Sequence, residues 1–144
     1  MPATCSIITV DRQLTAVIRA EAAFAQLPEV QRTARATLAA LLPSLDTGAL
    51  GPTCTRWTPP AGGKLAMEIG RVVARPFAPN REVVASELPA GRAVHFSMKG
   101  GFENLPTAWQ TLFDWCKAEK LSTAGINWEI YGAAEGAELY ALLA

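Results

Sequence analysis

Alternation along the last third of the chain sets the first expectation. Residues 125–131, Gly-Ile-Asn-Trp-Glu-Ile-Tyr, form an apolar and aromatic run with β-branched positions that opens on a glycine, which predicts a strand. Side chains of a strand alternate between its two faces. Ile126, Trp128 and Ile130 therefore share one face, expected to be buried against helices, and Asn127, Glu129 and Tyr131 share the other. A carboxylate in mid-strand is costly without a partner. Glu129 is expected to meet water in a cleft, a protein cation or a ligand.

Elsewhere the pattern predicts two successions of strands around a helix. Residues 5–10 read as the start of a strand, and residues 14–24 continue with Leu14, Ala16 and Ile18 on one face and Arg19 and Glu21 on the other. Pro28 followed by Glu29 marks a helix start. Val30, Ala34, Leu38, Leu41 and Leu45 then recur at helical spacing, and Pro43 predicts that the helix kinks or ends near it. Residues 53–57 read as a short strand and residues 59–63 as a hairpin loop. Residues 64–77 alternate partly, with Leu65, Met67 and Ile69 opposite Glu68 and Gly70, and residues 76–80 read as a connector.

The second half repeats the order. Residues 83–88 and 93–98 read as strands. Asn104 is the expected N-cap of a helix whose apolar stripe is Trp109, Leu112, Phe113 and Cys116. Residues 125–131 are the next strand, 132–136 a loop and 139–143 the last strand. The repetition is also literal. Phe24, Leu27 and Pro28 match Phe102, Leu105 and Pro106 at one offset of 78, on which Ala16-Val17-Ile18 falls on Val94-His95-Phe96. Residues 51–57 fall on 125–131 at an offset of 74, pairing Thr55 with Glu129 and Trp57 with Tyr131. A half of this size buries a sheet poorly by itself, so the halves are expected to pack as one pseudo-twofold domain. Its axis would bring both sets towards a shared groove.

Composition removes several alternatives. The 144 residues are half hydrophobic, enough for a core, and 13 Lys plus Arg balance 13 Asp plus Glu. A neutral chain lacks the basic excess of a generic nucleic-acid or anionic-membrane surface. No apolar run approaches the ~20 residues of a membrane span, and no signal peptide is seen. Cys5, Cys54 and Cys116 are far apart without a CxxC, and His95 is the single histidine. Reduced thiols and no metal site are the expectation, in a cytoplasmic protein.

One family matches these motifs. Lys99-Gly100-Gly101-Phe102-Glu103-Asn104-Leu105-Pro106, then Ala108-Trp109, Trp115 and Trp128-Glu129-Ile130-Tyr131-Gly132, resemble the GyrI-like small-molecule-binding domain, strongly in the second half and weakly in the first. That domain occurs alone in gyrase-inhibitory proteins and fused to AraC-type and MerR-type regulators. The resemblance implies a tandem strand-helix-strand-strand duplication over essentially the whole chain. It also implies a groove glutamate at Glu129, with Tyr131 beside it, meeting cationic or polar ligands. Some family members resemble hydrolases of cyclopropane-containing compounds. Nothing resembles a helix-turn-helix, so direct nucleic-acid binding is not expected.

The expected fold is thus α+β, with repeats of about residues 1–78 and 79–144 and antiparallel sheets forming a central groove. Glu129 is the candidate ligand carboxylate; burial would raise its pKa unless a cation restores its charge. Tyr131 and Trp57 are candidate aromatic walls for a flat cation, Asn127 a hydrogen-bonding group and Thr55 its neighbour. Trp109 reads as packing that can also floor the groove, and Trp115 and Trp128 as packing. Phe96 and Met98 line core or groove, Glu68 is a candidate second acid, and His95 reads as structural. The function these residues suggest is binding of a small apolar or cationic aromatic molecule, for sensing or sequestration, without cofactor or membrane. A homodimer or a regulatory protein partner is compatible with it. Two alternatives stand beside it: a hydrolase with Glu129 as general base and Tyr131 polarising the electrophile, and an inhibitor of a partner such as DNA gyrase.

Overall fold

Pro28 and Pro106 each stand in the first turn of a helix, where proline forfeits no hydrogen bond, and between and around those helices the chain is almost entirely strand. A computed structural model describes residues 5–132 and 136–144. In chain order these form β1 (Ser6–Val10), β2 (Gln13–Ala22), α1 (Leu27–Leu41), β3 (Leu50–Ala61), β4 (Lys64–Val73), β5 (Val83–Leu88), β6 (Gly91–Lys99), α2 (Leu105–Ala118), β7 (Thr123–Tyr131) and β8 (Gly136–Leu143). Each helix is preceded by a 3₁₀ turn, at Phe24–Gln26 and Phe102–Asn104. Asn104 takes the N-cap position without a side-chain cap bond, because that turn already leads the backbone into helical geometry. The α1 stripe ends as Pro43 requires, in a 3₁₀ turn at Leu42–Ser44.

All pairings are antiparallel, and the order β1-β6-β8-β7-β3-β4-β2-β5 is one continuous eight-stranded sheet. The sheets expected of the two halves are therefore joined, through β3 and β7. Exchanging each strand with its counterpart in the other half reverses this order, which is the pseudo-twofold relation. β1 pairs with β6 and β5 with β2, so each half lends its first strand to the other. Only two residues, Asp11 and Arg12, link β1 at one edge to β2 near the other, and Pro89 and Ala90 do the same for β5 and β6. Links this short hold the two edges near each other, so the sheet is strongly curled.

The core splits by half. Ala34, Leu38 and Leu42 pack with Ala16, Ile18, Met67 and Ile69; Ala108, Leu112 and Cys116 pack with Val94, Phe96, Met98, Leu139 and Ala141. A third cluster lies on the opposite face of the sheet, where Trp128 packs with Cys54, Leu88 and Ala93 beside Val10, Ile126 and Ile130. This corrects the expectation for the central strand. Ile126, Trp128 and Ile130 face the inside of the curl, and the helices stand over Asn127, Glu129 and Tyr131.

β3 is longer than the sequence pattern predicts. The expected loop of residues 59–63 reduces to Gly62 and Gly63, both at positive φ (63° and 78°), between paired Ala61 and Lys64. Two consecutive residues in that region give the two-residue turn whose twist matches the flanking strands. Gly70 serves another purpose: a Cβ there would lie 2.0 Å from the carbonyl oxygen of Ala16, so β2 and β4 approach as closely as they do because it has none. The loop expected at residues 132–136 falls largely on 133–135, outside the described residues.

Candidate functional site

The register of β3 against β7 pairs Thr53 with Tyr131, Thr55 with Glu129 and Trp57 with Asn127. Thr55 and Glu129 are also the pair that the offset of 74 makes equivalent, so the pseudo-twofold axis passes between them. Both are buried, at 0 % and 1 % exposure. Because each helix packs over its own half, this seam lies between the helices, within reach of side chains from both.

From α2, the Trp109 indole N–H donates to Glu129 Oε2 at 2.6 Å. From α1, Gln31 Nε2 and Arg35 Nη2 approach Thr55 Oγ1 at 3.2 and 3.0 Å, and Arg35 Nη2 also reaches the Cys54 carbonyl at 3.3 Å. Tyr131 Oη joins the two centres, 2.5 Å from Glu129 Oε1 and 2.8 Å from Thr55 Oγ1. A phenol has one proton to give. With Glu129 ionised, Tyr131 donates to the carboxylate and Thr55 donates to Tyr131. With Glu129 protonated, the carboxyl would donate to Tyr131 and Tyr131 to Thr55. The ionised arrangement satisfies this chain better, since Thr55 Oγ1 already accepts from Gln31 and Arg35 and has no lone pair left for Tyr131.

Burial raises the pKa of Glu129, against the opposing pull of the Trp109 and Tyr131 hydrogen bonds, the Trp57 indole and the Arg35 charge. Tyr131 is pushed well above the usual phenol range, first by burial and then by the adjacent carboxylate. The Arg35 guanidinium carbon lies 5.1 Å from the Tyr131 ring centroid. Three buried polar atoms at the seam have no partner among the described residues: Arg35 Nη1, Trp57 Nε1 and Asn127 Oδ1. Aromatic side chains edge the site. Phe102, 56 % exposed, lies 5.2 Å from Tyr131, and Phe113, 37 % exposed, stacks on Trp109 at 5.5 Å.

The profile of the GyrI-like small-molecule-binding domain matches residues 3–138. The chain belongs to that family. No curated protein matches the sequence. Among solved structures, the EcmrR C-terminal domain superposes with a TM-score of 0.79 at 14% identity, covering 100% of this chain and 99% of that one. SAV2435 bound to tetraphenylphosphonium gives 0.69 at 12% identity over 100% and 94%. A hydrolase from Listeria innocua gives 0.63 at 11% over 97% and 91%. These likenesses concern the fold.

Within this GyrI-like domain, the seam gathers Glu129, Tyr131, Trp57, Asn127, Thr55 and Trp109 of the candidates named from the sequence. Phe96 shares their face but is buried beneath α2 in the core. Glu68 is a correction. It lies on the opposite face, held by Arg19 Nε at 3.0 Å and the Ser86 hydroxyl at 2.5 Å, because the alternation that turns Met67 and Ile69 to the helices turns Glu68 away. His95 also lies there, with Nε2 2.9 Å from Glu138 Oε1, while the Ser97 hydroxyl donates to Oε2 at 2.6 Å. Among the described residues no three His, Cys, Asp or Glu side chains gather as a metal site, and no helix is long and apolar enough to cross a membrane.

Gln31 and Arg35 were missed, and the offset of 78 holds the signal for them. It carries Gln31 onto Trp109 and Arg35 onto Phe113. The same two helical positions face the seam in both halves, polar in the first and aromatic in the second. The site is therefore symmetric in geometry and divided in chemistry.

Proposed function

We propose that this domain binds an apolar, aromatic small molecule, cationic or neutral, at the seam between the helices, for sensing or sequestration. The observation that carries the reading is the buried Glu129, bonded to Tyr131 and Trp109, beneath half-exposed aromatic rings at Phe102 and Phe113. Rings at the rim supply contact area at low entropic cost, and the polar floor supplies orientation. Trp109 covers Glu129, so a ligand that reaches the carboxylate turns the indole aside. The tetraphenylphosphonium bound by SAV2435 is an aromatic cation of the kind such a site would take.

Thermal shift with a panel of cationic and neutral aromatic dyes tests this, on wild type and Glu129→Gln side by side. A ligand that binds only the folded state raises the midpoint by mass action. A rise in wild type that shrinks in the variant supports the reading, and a panel that shifts neither protein overturns it.

A second reading rests on the Glu129–Tyr131 contact. A buried carboxylate whose pKa is raised is a better base near neutrality, and its phenol partner can polarise an electrophile. The domain would then hydrolyse strained, electrophilic compounds, with Glu129 taking a proton from water. Consumption of a cyclopropane-containing probe by wild type and not by Glu129→Gln would favour hydrolysis; recovery of the bound compound unchanged would favour binding alone.

A further inference from the structure

Arg35 brings a second charge to the seam that holds Glu129. It is half-buried on α1, and its Nη2 donates to the Thr55 hydroxyl oxygen at 3.0 Å and to the Cys54 carbonyl at 3.3 Å. Those contacts hold the guanidinium carbon 5.1 Å from the Tyr131 ring centroid, where a ring face attracts positive charge. Tyr131 is in turn bonded to Glu129. The Arg35 charge also acts on Glu129 through space, favouring its ionised form. Among the described residues no carboxylate is in salt-bridge contact with Arg35. Within the seam, Glu129 is the carboxylate that this charge offsets.

The balance holds for either proton state. With Glu129 ionised, the state its hydrogen bonds satisfy better, Arg35 offsets it and the seam is neutral. With Glu129 protonated, the seam carries one positive charge. In neither state is a carboxylate left for a ligand's cation to neutralise, and an added cation meets a like charge in a site largely withdrawn from water. The equivalent position of α2 is Phe113, an uncharged ring stacked on Trp109. A ring at position 35 would leave Glu129 uncompensated and Tyr131 open to a ligand's positive charge. The guanidinium takes both.

Resting on the reading of the seam as a ligand site, we propose that Arg35 is the seam's own cation and sets its ligand class, a neutral aromatic molecule favoured over a cation of the same shape. Arg35 stands where the charge of a cationic ligand would stand, so such a ligand binds only against its repulsion. A neutral ring lies along Phe102 and Phe113 without that cost. Of the two classes that the seam reading admits, cationic and neutral, Arg35 selects the second.

Isothermal titration with N-methylquinolinium and 1-methylnaphthalene, flat bicyclic rings of one shape and different charge, tests the assignment. Water holds a cation better than a hydrocarbon, so the decisive quantity is how the ratio of the two affinities changes with the residue at position 35. Wild type should bind the neutral ring more tightly. Arg35→Gln should tighten the cation about tenfold relative to the neutral ring, as loss of one like charge allows. Arg35→Met should do the same and serves if the glutamine variant does not fold. Arg35→Lys keeps the charge and should leave the ratio as it is in wild type. If the neutral ring binds and the ratio is the same in wild type and the uncharged variants, the seam is a ligand site and the role of Arg35 is overturned. A wild type that prefers the cation overturns it too, as does Arg35→Lys behaving like Arg35→Gln. If neither probe binds wild type or any variant, the reading of the seam as a ligand site falls, and this inference with it.

Discussion

The indole N–H of Trp109 donates to Glu129 Oε2 at 2.6 Å, so a side chain of α2 supplies a donor to a carboxylate buried at the centre of the sheet. Trp109→Phe keeps the ring and removes the donor. The cost is that of leaving a buried acceptor short of a partner, about 1–3 kcal/mol, read as a lower midpoint in urea. Because that bond favours the charged form, its loss should also push the Glu129 pKa higher still.

Stability should respond to pH through Glu129 in a defined direction. Its pKa in the folded protein is raised above the ordinary 4.5, so the folded state holds this proton more tightly than the unfolded chain. The resulting stabilisation is fully present below the unfolded pKa. It is lost as pH rises through the folded one. Unfolding midpoints measured against pH should show a decline above 4.5 in wild type that is absent from Glu129→Gln.

Tyr131 and Glu129 act as one hydrogen-bonded unit through a 2.5 Å contact. Tyr131→Phe, Glu129→Gln and the double variant form a cycle in which the two losses should not add. Coupling of about 0.5–3 kcal/mol is expected for residues sharing one network. Additivity within error would mean that the contact contributes nothing beyond its separate parts.

Gly70→Ala should destabilise the fold through the backbone of β2 and β4, without removing any side chain of the seam. Its Cβ would stand 2.0 Å from the Ala16 carbonyl oxygen, a backbone atom of the paired strand that a rotamer change cannot move. A loss of about 1–3 kcal/mol or more is expected. Thermal unfolding of the variant reads it directly.

Cys54 is 1 % exposed and burial pushes its thiol up to about 12. The thiolate is the reactive form, so at pH 8 a thiol reagent should leave Cys54 unlabelled while the fold persists and label it on denaturation. Peptide mapping after alkylation separates it from the more accessible Cys5.

Much of this molecule was readable from the order of its residues. Period-two and helical patterns, prolines at helix starts and the offset between halves are local signals, and from them came both helices, most strands and the pairing of Thr55 with Glu129. Glu129 declared itself because a carboxylate among isoleucines, tryptophan and tyrosine in a strand needs an explanation wherever the strand ends up. Which face of β7 meets the helices was not readable. Alternation separates two faces without ranking them, and here both are buried, one under the helices and one inside the curl of the sheet. Nor could Gln31 and Arg35 be told from solvent-facing residues on the flank of α1. They become site residues only because β3 and β7 pair across the axis and each helix packs over its own half, leaving one seam that both helices overlook. The sequence by itself determined the elements, their duplication and the residue whose burial needs a partner. The tertiary structure alone decided its partner from the helix, since the reach of Trp109 on α2 to Glu129 on β7 depends on packing between segments that no local pattern records.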